Sequence, residues 1–274
     1  MGVIAGAFCV SHTALMIRRF DATDAQHRRV HEAFAAVRQQ IDRIAPDLLV
    51  VVGNDHMHTL NYDCFPQICV GIGDSAVGWG DGGVASARLR LAGDFASQLL
   101  EIGIEKGLDL AFVVNPRIDH GFMSPLTLLR PEMDIPIVPV WQNTCMPPLS
   151  PVWRAADLGI LIRDVVAARP ENERVVLLGT GGLSHWVGMP GAGTVNEGFD
   201  ADFLALVRAG DVDAATNLTN SELIRDGGNG APEIRNWVTV MAACRTPGTV
   251  ILYEPVANWG TGIGIARLSK DSTT

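Results

Sequence analysis

Short apolar runs rich in β-branched residues recur along this chain, and each ends in a turn, a glycine or a histidine. They lie at Val3–Val10, Leu48–Val52, Ile68–Ile72, Leu110–Val114 and Ile135–Trp141, in "RVVLLGT", and in "TVILYEPV" as a last strand. Runs of this length without polar alternation suit strands buried on both faces. Between them lie stretches with helical periodicity. Val30, Phe34, Val37, Ile41 and Ile44 form one apolar stripe behind a capping-box pattern at Thr23 to Gln26, and Pro46 closes that helix. Further helices are expected over Leu91–Lys106, from Pro151 to about Ala168, and from Glu197 to Arg245 with a break at "RDGGNGAP". Strands alternating with helices predict an α/β fold, a central mostly parallel sheet flanked by helices. Its active site would lie at the C-terminal ends of the strands. With no internal repeat or linker, residues 1–274 read as a single domain.

Composition narrows the function. A net charge of -9 excludes a phosphate-tracking nucleic-acid binder. Five cysteines, an odd number with no C-x-x-C pair, suggest reduced thiols rather than a disulfide framework. The opening "MGVIAGAFCVSH" lacks a secretory pattern, and no apolar run reaches the ~18–20 residues of a spanning helix. A soluble cytoplasmic protein is expected. "GIGDSAVGWGDGG" lacks the G-x-G-x-x-G and G-K-[ST] patterns of phosphate loops and reads as a loop near a ligand pocket.

The seven histidines are unevenly placed. His27 and His31 flank the stripe of the first helix and read as a solvated edge. The other five follow strand ends: His12 in "CVSHTAL", His56 and His58 in "NDHMH", His120 in "RIDHGF" and His185 in "GGLSHW". A parallel sheet would bring these ends together, and converging imidazoles point to a metal or acid–base site. Histidines alone leave the metal open, since zinc favours closed N/S sets and oxygen-activating Fe(II) favours two histidines and a carboxylate. Glu233 is the leading carboxylate, in a helix first turn after three glycines and Pro232. Glu197 is a weaker rival, and Asp55 and Asp119 read as turn or supporting residues. Arg117, Arg225 and Arg235 are candidates to grip a substrate carboxylate, with surface ion pairs as the ordinary alternative.

These residues carry a resemblance. "SHTALM", "NDHMHTLNYDCFPQICVGIG", "DHGFMSPL", "GTGGLSHW", "EIRNWV" and "PVANWGTGIG" span most of the chain. They resemble, in the same order, the class III extradiol ring-cleavage dioxygenases, the superfamily of the protocatechuate 4,5-dioxygenase catalytic subunit. Within it the likeness is to the 2,3-dihydroxyphenylpropionate 1,2-dioxygenase branch. The resemblance implies a single catalytic domain over 1–274 that cleaves a catecholic ring with O2 and Fe(II). It implies His12, His56 and Glu233 as iron ligands and His120 and His185 as catalytic residues that do not bind iron. His58 matches no ligand.

By the same resemblance His185 would take the proton of the second catechol hydroxyl, and His120 would act as the acid while the ring expands. The partners expected are the catechol and O2, with no nucleic acid and no membrane; a homo-oligomer is expected, and a small partner subunit is compatible. The segment after His185 is short, about ten residues before the helix near Glu197, so part of the substrate pocket should be rebuilt. Alternatives are a 2-aminophenol-type ring-cleaving dioxygenase, a zinc hydrolase, and a non-catalytic interaction protein on the same fold.

Overall fold

The computed structural model describes residues 1–268. In chain order its elements are β1 (Val3–Val10), α1 (Leu15–Arg18), α2 (Ala25–Ile44), β2 (Leu48–Gly53), β3 (Ile68–Ile72), β4 (Ser75–Gly78) and β5 (Arg88–Arg90). Then come α3 (Gly93–Glu105), β6 (Ala111–Val114), β7 (Arg117–Ile118), α4 (His120–Leu129), β8 (Ile137–Gln142), α5 (Trp153–Ala168) and β9 (Arg174–Thr180). The chain continues through α6 (Glu197–Ala209), α7 (Val212–Thr216), α8 (Asn220–Gly227), α9 (Ile234–Cys244), β10 (Thr249–Val256) and β11 (Thr261–Arg267).

An eight-stranded sheet orders these strands β10-β11-β1-β9-β2-β8-β3-β6. Its centre is parallel: β1 pairs with β9, β9 with β2 and β2 with β8. Antiparallel joins at β1–β11 and β8–β3 bound this block. The run "LLVVVG" shows why the centre carries no polar alternation. Leu48, Val50 and Val52 face the core under α3, α5 and α9, whereas Leu49 and Val51 face the core under α2 and α4. Period-two side chains meet an apolar layer on either side, so every position is buried. All four central strands therefore end on the same edge, and their following loops share one surface.

Several local expectations change. The cap of α2 is Asp24, whose carboxylate accepts from Gln26 N and His27 N, not Thr23. The last strand is β11, beyond β10; Gly262 and Gly264 dilute its β-propensity, which hid it. The segment after His120 is a helix, α4, with Pro125 inside it. The glycine-rich segment contributes β4 to a small sheet ordered β5-β4-β7 and then a 3-10 turn at Asp81–Gly83. Among the described residues no helix is long and apolar enough to cross a membrane.

Candidate active site

The ends of β1, β2 and β9 each deliver one piece of a common cleft, and the start of α4 delivers another. His12 follows β1 two residues on, and Asn54 and His56 follow β2. His185 lies five residues past the end of β9, and His120 opens α4. Glu233 ends the short 3-10 turn Ala231–Glu233, with Pro232 inside it, and leads into α9. These residues surround a cavity of about 790 Å³ lined by His12, His56, His120, His185 and Glu233, with Trp186 and Trp259 among its walls.

Glu233 is the hub. Its Oε2 lies 3.8 Å from His12 Nε2, and its Oε1 lies 3.6 Å from His56 Nε2 and 3.7 Å from His185 Nε2. Asn54 Nδ2 donates to Oε1 at 3.0 Å and Gly182 N donates to Oε2 at 2.7 Å. Each oxygen keeps a further lone pair for the cleft. Burial works against the charged carboxylate, but His12, His185 and His56 outweigh it and hold Glu233 well below the usual carboxylate range.

The imidazoles are held differently. His12 is buried, and neither of its ring nitrogens has a hydrogen-bond partner. Burial pushes it down to about 3 against the opposing pull of Glu233, so the ring is neutral. His56 donates its backbone N–H to Asp119 Oδ2 at 2.6 Å and its Nδ1 lies 2.9 Å from the same oxygen. Burial disfavours its charge, yet Asp119 and then Glu233 raise it well above the ordinary histidine value. His185 Nδ1 faces the Leu183 carbonyl at 3.0 Å, which leaves Nε2 toward Glu233. Burial again disfavours charge there, and Glu233 reverses the direction upward. His120 stacks on His56 at 4.0 Å between ring centroids and presents Nδ1 to Asp81 at 2.5 Å.

One nitrogen from each of His12, His56 and His120 falls within 4.8 Å of the others, a grouping able to hold a metal ion. Two protein ligands bound to one ion at ~2.0–2.2 Å each must lie within about 4.4 Å of one another. The Glu233 oxygens meet that limit with both His12 and His56. A buried imidazole with two orphan nitrogens is costly unless something pairs with it. The residues present thus fit a divalent metal.

The five candidates His12, His56, Glu233, His120 and His185 come together; His27 and His31 depart from expectation, while Asp55, Asp119 and Glu197 keep the lesser places expected of them. His58 lies behind the cleft, 3.7 Å from each of Asp81 and Asp119. His27 and His31 are not a solvated edge. His27 is buried, stacked on Trp259 at 4.1 Å and paired with Asn258 Oδ1, while His31 faces the Met16 carbonyl and stacks on Phe20. The α1 segment and the Ala257–Trp259 turn fold over that flank of α2. Asp119 supports His56 and caps α4, and Asp55 accepts from His58 N, Thr59 N and Leu60 N as a turn residue. Glu197 stands exposed at the start of α6 and lines none of the cleft.

None of the three arginines reaches the cavity. Arg117 stacks on Trp79 at 3.6 Å, Arg225 pairs with Asp226, and buried Arg235 donates to the carbonyls of Asn143 and Ser150 and to Asn220 Oδ1. The cation that does line it is Arg19. The 71–83 segment also lines none of it, and acts instead through Asp81. Asn54, Asp81 and Arg19 were not singled out by the sequence. Asn54, two residues before His56, offered the one local signal.

The family described as the catalytic LigB subunit of aromatic ring-opening dioxygenase matches residues 6–264. The chain belongs to this family. The dioxygenase is 32% identical over 304 aligned positions to the 2,3-dihydroxyphenylpropionate/2,3-dihydroxicinnamic acid 1,2-dioxygenase of Burkholderia vietnamiensis, covering 93% of this chain and 94% of that one. Its namesake in Rhodococcus jostii is 28% identical, with 95% and 97% covered. Since 304 positions exceed the 274 residues here, the Burkholderia relative carries segments that the dioxygenase lacks. The crystal structure of an uncharacterized protein from Escherichia coli K12 shares the fold, with a TM-score of 0.63, 15% identity, and 96% and 99% of the two chains covered. Membership makes the chain an extradiol ring-cleavage enzyme and sets aside the zinc-hydrolase and non-catalytic readings.

Proposed function

We propose that this dioxygenase cleaves a catecholic ring beside its vicinal hydroxyls, using O2 and a non-haem Fe(II) held by His12, His56 and Glu233. The observation that carries the reading is His12: a buried, neutral imidazole with both nitrogens orphaned, beside a carboxylate that a second imidazole also faces. Fe(II) held by these residues would activate dioxygen beside a bound catechol, bringing the two reactants together.

The chain's own residues then handle protons and orientation. The Leu183 carbonyl accepts a hydrogen bond from Nδ1–H of His185, so Nε2 is the acceptor for the second catechol hydroxyl. Once the charge of Glu233 is shared with a cation, burial favours the neutral, basic ring of His185. His120, stacked on His56 and lining the same cleft, supplies a proton as the ring opens. Trp186, Val187 and Leu15 give the aromatic ring an apolar wall, and Arg19 at the rim favours a catechol whose substituent ends in an anion. We assign residues 1–274 to one catalytic domain, working in the cytoplasm as a homo-oligomer.

The test is anaerobic loading with Fe(II), then a panel of catechol, 2,3-dihydroxyphenylpropionate, 2-aminophenol and gallate. Oxygen uptake with a yellow ring-fission product from the catechols supports the reading. Turnover of 2-aminophenol alone would move the substrate class, and full activity in the presence of a strong chelator would remove the metal.

A further inference from the structure

The sequence places Asp119 directly before His120, yet that carboxylate serves His56. The partner of His120 comes from 39 residues upstream, where Asp81 Oδ2 lies 2.5 Å from its Nδ1. We propose that Asp81 is a positioning residue for ring opening: its carboxylate fixes the orientation and tautomer of His120, so that Nε2 serves the cavity. The inference rests on the reading of His120 as the proton donor.

The turn that carries Asp81 is built for this task. Gly80, Gly82 and Gly83 have φ of 76°, 60° and 83°, a succession of left-handed residues that side chains disfavour. A Cβ on Gly82 would sit 2.5 Å from Ala14 Cβ and 3.9 Å from His120 Cγ. The turn is thus wedged between the loop that follows His12 and the imidazole it holds. That wedge accounts for "GWGDGG", which is too glycine-rich for an ordinary connection and lacks the phosphate-loop patterns. The Asp81 side chain is only 11% exposed, and its Oδ1 is buried without a partner. Its other oxygen, Oδ2, is the one engaged: it meets His120 Nδ1, with His58 Nε2 farther off at 3.7 Å.

The arrangement repeats that of the neighbouring ring. His56 and His120 stack at 4.0 Å, and each has a carboxylate at Nδ1, Asp119 for one and Asp81 for the other. Both rings therefore carry the Nδ1 proton and turn Nε2 away from their carboxylates. When His120 acts as an acid it gives up its Nε2 proton and keeps the one on Nδ1; Asp81 accepts no proton. Carboxylates that orient an imidazole in this way are worth ~10–100-fold in activity when removed.

The experiment compares Asp81→Asn, His120→Gln and the double variant as Fe(II)-loaded enzymes, with 2,3-dihydroxyphenylpropionate and catechol as probes. The readouts are iron per chain, anaerobic substrate affinity, kcat and KM from oxygen uptake, and the 15N signals of the His120 ring in metal-free protein. Asp81→Asn is expected to lower kcat by ~10–100-fold with KM and iron unchanged, and to shift the His120 ring signals. The double variant should be no slower than His120→Gln, because both changes act through one imidazole. Wild-type kcat in Asp81→Asn beside a slow His120→Gln overturns the proposal. So does loss of iron in Asp81→Asn, or a double variant that loses the product of the two single effects. If His120→Gln turns over like wild type, the reading of His120 is what fails; an unshifted ring signal then overturns the grip of Asp81 as well, and a shifted one supports it.

Discussion

Gly230→Ala isolates one catalytic ring from everything else in the site. Gly230 has φ of -90°, which any residue adopts, so the added methyl acts through space alone. That space is taken. A Cβ would lie 1.9 Å from His185 Nε2, 2.2 Å from Cδ2 and 2.3 Å from Cε1. Non-bonded carbon and nitrogen settle near ~3.5 Å, so the imidazole must retreat by roughly 1.5 Å. The ring cannot follow as a rigid body, because His185 N donates to Gly227 O at 2.8 Å and Gly230 N donates to His185 O at 3.1 Å. It must rotate, giving up the Leu183 carbonyl and the Nε2 position opposite Glu233. A displacement of about 1 Å already costs on the order of 10²-fold when a reacting group is misplaced. A lost general base costs ~10²–10⁴-fold, so kcat should fall within that range. Overpacking should cost about 1–3 kcal/mol of stability. Iron content should be unchanged, since the three atoms nearest the methyl all belong to His185 and none to His12, His56 or Glu233. Oxygen uptake, iron analysis and denaturant melts read the three quantities. Turnover within twofold of wild type would show that the position of His185 is immaterial, and its assignment as the base would go with it.

His12→Ala, His56→Ala and Glu233→Ala should each abolish iron binding and activity together, whereas His58→Ala and His120→Gln keep iron; elemental analysis of anaerobically purified protein decides between the two sets. Arg19→Ala should raise KM for 2,3-dihydroxyphenylpropionate about tenfold, the worth of one exposed charge-assisted contact, while plain catechol is unaffected; equal effects on both would remove its role at the rim. The metal-free protein should be most stable near pH 6.5, as far as His12 and His56 decide it. His12 has a depressed folded value of about 3, so the unfolded chain takes up its proton first as pH falls below ~6.5, and stability declines there. His56 has a raised folded value, so its contribution is complete below ~6.5 and is lost as pH rises through that value. Denaturant midpoints across pH should show both limbs, the acid one flattened by His12→Gln and the alkaline one by His56→Gln; a curve rising monotonically from pH 5 to 9 contradicts the assignment.

What could be read from the sequence was whatever depends on local pattern. β-branched runs mark central strands because a two-faced core removes polar alternation, and parallel strands put the residues just beyond them on one edge. His12, His56 and His185 follow from that rule alone. Glu233 was legible because a glycine-rich break followed by proline marks a helix start. What stayed hidden depends on pairings across long stretches of chain. His27 reads as a helix flank until Trp259, far downstream, stacks on it. Arg235 looks available for substrate until its guanidinium is found bonded to Asn143, Ser150 and Asn220, where burial also pushes it down to about 10. Asp81 serves His120 although Asp119 is its chain neighbour, and no spacing rule would choose the distant carboxylate.

The "GTGG" after β9 joins these two levels. As a sequence it reads as a strand running into a glycine turn; in the fold it admits a helix. Gly181 has φ of 144°, and a Cβ there would lie 2.9 Å from Glu233 Cβ and 3.0 Å from the Glu233 carbonyl. The start of α9 therefore rests directly on the backbone leaving β9, and Gly182 N is close enough to donate to the Glu233 carboxylate. No central strand end carries this acid. It comes from a helix start pressed against the sheet edge, which faces it toward three histidines at once. That geometry gives one inward carboxylate facing His12, His56 and His185, of which His56 is held from outside by Asp119 and His185 by the Leu183 carbonyl, while Asp81 holds neighbouring His120. Each outward contact fixes a ring, and the inward nitrogens and oxygens are left for a cation and its substrate. A bulkier residue at 181 would lift Glu233 away from His12 and His56 together, so the glycine at this turn is a requirement of the proposed metal site.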